Sequence, residues 1–289
     1  AVTGAAKGIG RWMSDIGRAA TSGDPHQAGV TETALGQATA KRAFAYQFGV
    51  DPYTRFKPLQ KSLDELGWAA AGGGLTTKVA LAFLPGTMGT VVAATGTTDS
   101  MKALVRDKSP AQLDSLNRDK LRAMGVPRTG IDAFLDNPVL SPQDKTIIVG
   151  ELETLKGSKG RAAFVAAAAR AEDEAMALFM RYRAQMIGRF ASEKGAVESF
   201  VRIDRTLFVR TWRGEIVGLF PIDRIAYDEE MKEKLAVLDR AIGKLNGVHS
   251  KQLWIGGPVD PAAREHLQAR GWTVRDRLFE KIMAASRRE

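Results

Sequence analysis

Side chains that could perform chemistry are few in this chain and stand far apart. There is no cysteine, so disulfides, thiolate metal sites and cysteine nucleophiles are excluded. The histidines are His26, His249 and His266, and because no HExxH or HxxxH pair exists, a histidine-built zinc site is not expected. The acidic residues Glu172–Asp173–Glu174 point in different directions on a helix, which favours a solvated face over a metal site. These patterns predict no catalytic residue, no cofactor and no metal ion.

The best candidate for a ligand site is the glycine turn Gly256–Gly257 in "WIGGPVDP". A strand that ends in glycines ahead of a helix N-terminus is where α/β folds bind anions. No nucleophile, base or metal ligand accompanies this turn, so a tight structural turn is the alternative interpretation. We therefore keep Gly256 and Gly257 as a candidate anion site.

The opening "TGAAKGIG" is similar to the glycine loop of the short-chain dehydrogenases, and "YTRFK" (Tyr53 to Lys57) matches the YxxxK motif of that family. The resemblance implies a dinucleotide at Gly4, Gly8 and Gly10, and proton transfer by Tyr53 and Lys57. The chain departs from the family in the elements around these motifs. Only two residues precede the loop where a buried strand is required, and the tyrosine and lysine stand between two prolines rather than on a long helix. We assign the chain to no family on these motifs.

Residues 5–20 have instead the spacing of an amphipathic basic helix, with apolar residues on one face and basic residues opposite. The predicted docking residues are Ile9, Trp12, Met13 and Ile16, together with Lys7 and Arg11. Glycines lower the intrinsic helicity of this segment, so it should form when it is buried against something. A protein partner or a membrane surface is our prediction, because the polar residues 21–30 let the helix stand away from the body. Docking on its own protein is the alternative.

The net charge of +9 invites a nucleic-acid interpretation, so its distribution matters. The segments 1–60, 61–190 and 191–289 each carry an excess of three basic residues. A nucleic-acid binder usually concentrates its charge and adds stacking aromatic residues, and neither feature stands out here. Nucleic-acid binding is therefore kept only as a third alternative.

The predicted fold class is α+β, with a mainly helical N-terminal and central region of helix pairs followed by a small C-terminal α/β domain. The predicted domains are 1–30 (amphipathic helix and exposed linker), 31–196 (helical) and 197–289 (α/β). Within the helical domain, Lys78 is the only charge between residues 66 and 98, and Pro85–Gly86 interrupts the apolar run. This pattern favours a buried hairpin over a membrane span.

Helix-starting residues and the alternation of apolar and polar residues predict the individual elements of these domains. Two Ser-Pro pairs, at 109–110 and 141–142, predict helix starts, with a long single helix from Gly160 to Phe190. Alternation over 198–223 predicts two or three antiparallel strands. The unit "QLWIGGPVDPAAREHLQARGWTV" predicts a strand–helix–strand with parallel strands, and a terminal helix should follow.

Our leading hypothesis is a non-enzymatic bacterial protein of the cell envelope that serves assembly or binding and docks through its N-terminal helix. The amphipathic start, the nearly uncharged residues 66–98 and the lack of a catalytic set are the reasons for this hypothesis. Removal of a signal peptide or of an initiator methionine would each leave Ala1 first, and we expect the envelope or periplasm with the cytoplasm as the alternative. The competing hypotheses are a ligand-binding or enzymatic domain that uses the Gly256–Gly257 turn, and a basic nucleic-acid binder.

Overall fold

The computed structural model describes residues 30–71, 97–194 and 197–279, which form ten helices and five strands. The helices are α1 Val30–Gln47, α2 Lys57–Ala71, α3 Thr97–Asp107, α4 Pro110–Ala123, α5 Arg128–Leu135, α6 Pro142–Thr154, α7 Arg161–Ala168, α8 Glu174–Lys194, α9 Glu229–Ile242 and α10 Pro261–Ala269. The strands are β1 Val197–Ile203, β2 Thr206–Thr211, β3 Glu215–Phe220, β4 Ser250–Ile255 and β5 Trp272–Arg275.

This order of elements confirms the predicted α+β fold, with eight helices before a C-terminal domain that mixes strands and helices. Three segments that carry predictions lie outside the described residues: the docking helix at 5–20, residues 72–96 of the proposed hairpin, and the terminal helix at 280–289. The two ends of the 66–98 segment belong to α2 and α3. Within the described ranges, no helix combines the length and apolar character needed to cross a bilayer.

The predicted helix starts and stops at the Ser-Pro pairs and glycines are confirmed. Ser109 and Gln112 form a reciprocal cap, in which the Gln112 amide donates to the Ser109 hydroxyl and the Ser109 amide donates to the Gln112 side chain. The glycines that follow α4 and α6, Gly125 and Gly157, have φ of 77° and 78°. This left-handed conformation favours glycine and ends each helix.

The single long helix predicted from Gly160 to Phe190 is wrong, because the chain forms two helices, α7 and α8, with a break between them. Asp173 accepts a hydrogen bond from the Met176 amide at 2.7 Å and so starts α8. The Asn137 side chain donates to the carbonyls of Ala169 and Ala171 at 2.9 and 3.0 Å. These hydrogen bonds satisfy the backbone carbonyl groups at the break. Helical periodicity could not predict them, because Asn137 is distant in sequence from the break.

The five strands form one mixed sheet in the order β1-β2-β3-β4-β5. Strands β1, β2 and β3 pair antiparallel, whereas β3, β4 and β5 pair parallel. The predicted antiparallel strands and the parallel strand–helix–strand unit are therefore confirmed. Helices α9 and α10 provide the two connections that parallel neighbours require.

Both faces of this sheet are buried. One face, which includes Val217 and Trp254, packs with the helices from α4 to α8 in a single apolar cluster. The other face, which includes Ile216 and Leu253, packs with residues of α9 and α10. Because successive side chains of a strand point to opposite faces, β3 and β4 contribute to both clusters at once.

Arg183 joins α8 to the sheet from within the first of these clusters. It is buried, and it donates hydrogen bonds to the carbonyls of Leu219 (2.9 Å) and Leu207, on β3 and β2. The described pairing of β2 with β3 covers only Val209–Arg210, so the guanidinium provides donors where the two strands no longer pair directly. Burial lowers the pKa of Arg183 to about 10, and the side chain is therefore still a cation at neutral pH.

The chain packs as two compact units. Unit 1 comprises the described residues up to Leu113 together with Ser141–Gln143, and unit 2 comprises Asp114–Leu140 and the residues from Asp144 onward. The core of unit 1 is a small cluster around Phe44 and Leu63, where α1 packs against α2. The predicted domain bounds at 30 and 196 stay a prediction, but α5, α7, α8 and all of α6 beyond Gln143 lie in the same compact unit as the sheet.

Candidate functional site

The Gly256–Gly257 turn lies where the sequence predicts it, directly after β4. Both glycines are buried. The Gly256 amide donates to the Phe220 carbonyl at 3.0 Å, and the Gly257 amide donates to the Ile222 carbonyl at 2.8 Å. An anion at this turn would have to replace these backbone partners, because neither N–H group is free to bind it.

The two glycines are also explained by close packing. A side chain on Gly256 would overlap the Phe279 ring, and a side chain on Gly257 would overlap the backbone carbonyl of Asp223. The Asp223 carbonyl cannot move without a shift of the chain, and the Phe279 ring would have to leave its place. The tight-turn interpretation thus has a complete physical account, and the anion site at Gly256 and Gly257 stays a prediction.

Carboxylates of the chain itself surround the start of α10. Arg224 binds Asp260 through two hydrogen bonds of 2.8 Å, and this pairing lowers the pKa of Asp260. Asp276 accepts from the Val259 amide at 3.2 Å and pairs with Arg264 at 2.6 Å. Burial alone would raise the pKa of Asp276, but these partners outweigh it and hold the pKa below its usual value. Negative charge at this helix N-terminus is therefore already supplied by the protein.

Tyr53 and Lys57 lie at the start of α2, where they do not form a common site. Lys57 is the first residue of the helix and is exposed, whereas Tyr53 is in the preceding turn with its hydroxyl buried. The Tyr53 amide donates to the Asp51 carboxylate at 2.8 Å, which holds this turn together. The predicted docking residues Ile9, Trp12, Met13 and Ile16, with Lys7 and Arg11, all lie outside the described residues.

The acidic residues 172–174 are exposed, as predicted for a solvated face. Asp173 has the local role of starting α8. No group of three or more histidine and acidic side chains within the described part of the chain is arranged to hold a metal ion.

Unit 2 contains a buried charged cluster that the sequence pattern does not predict. Three consecutive polar residues of α6 in this unit, at 144–146, are buried. Lys145 donates to the carbonyl of Leu135 at the end of α5, and burial lowers its pKa although Asp114 opposes the shift. Burial raises the pKa of Asp114, with Lys145 opposing. Each charge offsets part of the cost of burying the other, but burial remains the larger effect on both pKa values, and Lys145 also binds a carbonyl at a helix C-terminus.

A second group that the sequence does not reveal lines a pocket in unit 1. The pocket has a volume of about 220 Å³, part of which is open solvent. Its polar lining consists of Arg42 and Tyr46 from α1, Lys102 and Arg106 from α3, and Gln143. Three basic residues thus line one small space, although they come from sequence segments about sixty residues apart.

Arg42 is the buried member of these cations, with 9% of its surface exposed. Its Nε donates to the Arg106 carbonyl at 3.1 Å, and its terminal nitrogen donates to the Thr39 hydroxyl at 3.2 Å. The Tyr53 hydroxyl lies beside it; burial raises the pKa of this phenol, and the Arg42 cation opposes the rise. The groups that hold Arg42 are therefore neutral at neutral pH.

Arg106 and Lys102 differ in how firmly carboxylates hold them. Arg106 binds both oxygens of Asp107, at 2.6 and 2.9 Å, which lowers the pKa of that carboxyl. Its guanidinium also lies 4.7 Å from the centre of the Tyr46 ring. Lys102 is 3.9 Å from Asp99, a distance at which an exposed pair contributes little.

Large apolar side chains are exposed on the same unit. Leu35 of α1 and Trp68 of α2 are 71% and 53% exposed, and Phe56, next to α2, is 59% exposed. In unit 2, Trp212 in the turn between β2 and β3 is 61% exposed. Exposed aromatic residues are candidates for contact with a partner or a membrane surface.

Comparison with known proteins leaves these sites to be judged on their geometry, because no protein-family model, no curated protein and no solved structure matches the chain.

Proposed function

We propose that this chain is a binding or assembly protein, associated with the bacterial cell envelope, that docks through residues 5–20 and the adjoining end of the α1–α2 hairpin. The observation that supports the proposal is the exposure of Leu35 and Trp68, at 71% and 53%, on the two helices of that hairpin. We call this end of the hairpin, defined by Leu35 and Trp68, the docking end.

The two side chains belong to the same end because the helices run antiparallel. The start of α1 packs on the end of α2: a methyl group on Gly36 would lie 3.7 Å from the Ala71 Cβ, and one on Gly67 would lie 2.8 Å from the Gln37 carbonyl oxygen. Leu35 and Trp68 are the immediate neighbours of Gly36 and Gly67. The sequence joins the docking end to the predicted amphipathic segment, since α1 begins only about ten residues after residue 20.

Docking of such side chains is favourable because apolar area leaves water. Covering a leucine, phenylalanine or similar side chain contributes ~1.5–3 kcal/mol. Tryptophan residues also dominate the binding energy of many interfaces. The basic residues Lys7 and Arg11 add attraction to anionic lipids or to an acidic partner surface.

The test combines deletion and point substitution in the full chain. Deletion of residues 1–20, or Trp12→Ala, should release the protein from the envelope fraction of bacterial cells while its far-UV circular dichroism stays helical. Trp68→Ala should weaken the same association by about tenfold, because the contribution of one buried aromatic side chain is lost.

Trp212→Ala is the matched control, since Trp212 is a tryptophan of similar exposure in unit 2. It should leave the association unchanged. If the deletion unfolds the protein or leaves it bound to the envelope fraction, docking through residues 5–20 is wrong. If Trp68→Ala and Trp212→Ala behave alike, the docking end has no special role.

A further inference from the structure

We propose that the pocket lined by Arg42, Lys102 and Arg106 in unit 1 binds a phosphate group. This site is separate from the docking end, because it involves α3, Gln143 and the opposite half of α1. The proposal adds a ligand to the protein and does not depend on how the protein docks.

The charge of the lining is the first argument. A buried cation is costly unless it is paired. Within the described residues, Arg42 is held by a carbonyl and a hydroxyl group and forms no salt bridge with a carboxylate. Asp107, the neighbouring carboxylate, is already bound through both oxygens by Arg106. A phosphate in the pocket would give Arg42 the anionic partner that the described residues do not provide, and it would add a closer anion to Lys102 than Asp99, which is 3.9 Å away.

The geometry of the donors is the second argument. The pocket is lined by two arginines, Arg42 and Arg106, and by Lys102. Arginine side chains match the oxygens of phosphate in a planar fork, and lysine adds a mobile point charge. Gln143 contributes an amide that can donate to a further oxygen.

The size of the pocket restricts the ligand to a single charged group. Even with the open solvent at its mouth included, the pocket measures only about 220 Å³, so it has no room for a whole small molecule. The phosphate would enter while the rest of its carrier stays outside. Three cations favour a phosphate monoester, with nearly two charges, over a carboxylate with one.

Titration calorimetry on the full chain tests the proposal with inorganic phosphate and glycerol phosphate, each at constant ionic strength. Both should bind saturably, and acetate should not. Vesicles of phosphatidylcholine with and without phosphatidic acid form a second arm, which separates a lipid phosphate from a soluble one.

Lys102→Gln is the informative variant, because the Lys102 side chain is 36% exposed and its loss should not disturb folding. We expect it to weaken phosphate binding by about tenfold, the effect of one charge-assisted hydrogen bond. Lys61→Gln is matched to it: Lys61 also belongs to unit 1 and lies 3.9 Å from a carboxylate, that of Glu65. This control should change binding less than twofold.

Each outcome decides the question. Saturable binding of soluble phosphate that Lys102→Gln weakens supports the site with a soluble ligand. Absence of soluble binding, with phosphatidic acid vesicles bound more weakly by Lys102→Gln than by Lys61→Gln, supports a lipid head group. Equal binding of acetate, equal effects of the two substitutions, or no binding in either arm would overturn the proposal.

Discussion

Asp239 connects three elements of unit 2 through one carboxylate. Lys251 and the Trp272 indole donate to one of its oxygens at 2.7 and 3.0 Å, and Arg270 donates to the other at 3.1 Å. Burial alone would raise the pKa of Asp239, but the hydrogen bonds from Lys251 and Arg270 outweigh it, so the pKa lies below its usual value of 3.8. The ionised carboxylate is therefore a source of stability for the α9–β4–β5 region.

The sign of the pH dependence follows from this lowered pKa. The stabilisation by Asp239 is fully present above pH 4 or so, where the unfolded chain is also ionised, and it is lost as the pH falls through the lower folded value. We expect Asp239→Asn to reduce the free energy of unfolding at pH 7 by about 2 kcal/mol. The difference from the wild type should shrink below pH 4 in urea unfolding experiments.

Asp114 is the natural contrast, because burial raises its pKa while Lys145 opposes the shift. Its ionised form therefore costs stability above the folded pKa, and this cost disappears as the pH falls. Asp114→Asn should leave the stability at pH 7 unchanged or raised. A loss of stability at pH 7 as large as that of Asp239→Asn would show that these opposite environments do not govern the two residues.

Among the elements, the α1–α2 hairpin depends on one close approach of helix to helix. Gly67 is buried, and a methyl group there would lie 2.8 Å from the Gln37 carbonyl oxygen, which is a backbone atom that cannot turn aside. At Gly36 the nearest atom to such a methyl group is the Ala71 Cβ at 3.7 Å, an ordinary contact. The same substitution should therefore have opposite effects at these two helical positions.

We expect Gly67→Ala to destabilise the protein by ~1–3 kcal/mol, because the helices must separate. Gly36→Ala should stabilise it by up to ~1 kcal/mol, since alanine is the better helix former and the site has room. Thermal unfolding followed by circular dichroism measures both. Equal shifts in the midpoint for the two variants would mean that the close contact at Gly67 does not hold in solution.

Elements were predictable from the sequence where local rules decide them. Helices start at Pro110 and Pro142 and end before Gly125 and Gly157. These helix ends are determined by residues adjacent in sequence, so the sequence predicts them. The break between α7 and α8 was missed because Asn137, more than thirty residues away, satisfies its carbonyls. Helix α6 is buried along residues 143–152, so it has no polar stripe from which its position could be inferred.

The pocket of unit 1 could not be found from the sequence for a related reason. Arg42 belongs to α1 and Lys102 and Arg106 belong to α3, and the sequence offers no spacing rule that joins them. For the Gly256–Gly257 turn, by contrast, the sequence predicts the position but not the hydrogen bonds. Its place after β4 was predictable, whereas the use of its amides by Phe220 and Ile222 depends on how β3 leaves the sheet.

At the scale of the molecule, each compact unit has its own apolar core. In unit 2 the sheet belongs to two clusters, one on each face, and adjacent residues of β4 alternate between them: Trp254 packs on one side, Leu253 and Ile255 on the other. Loss of packing on one face should therefore loosen strands whose other face is untouched. Unit 1 relies on the separate cluster around Phe44 and Leu63.

Hydrogen exchange of the backbone amides can test this division of the cores. Phe190 of α8 is 1% exposed and packs edge-on against Trp254 at 5.1 Å between ring centres. Phe190→Ala should destabilise unit 2 by ~3–5 kcal/mol and speed exchange in α8, in β3 and β4, and in α9 across the sheet. Leu63→Ala, which leaves a cavity in the core of unit 1, should speed exchange mainly in α1 and α2. If Phe190→Ala affects α8 alone, the two faces of the sheet are not coupled, and unit 2 is not one cooperative structure.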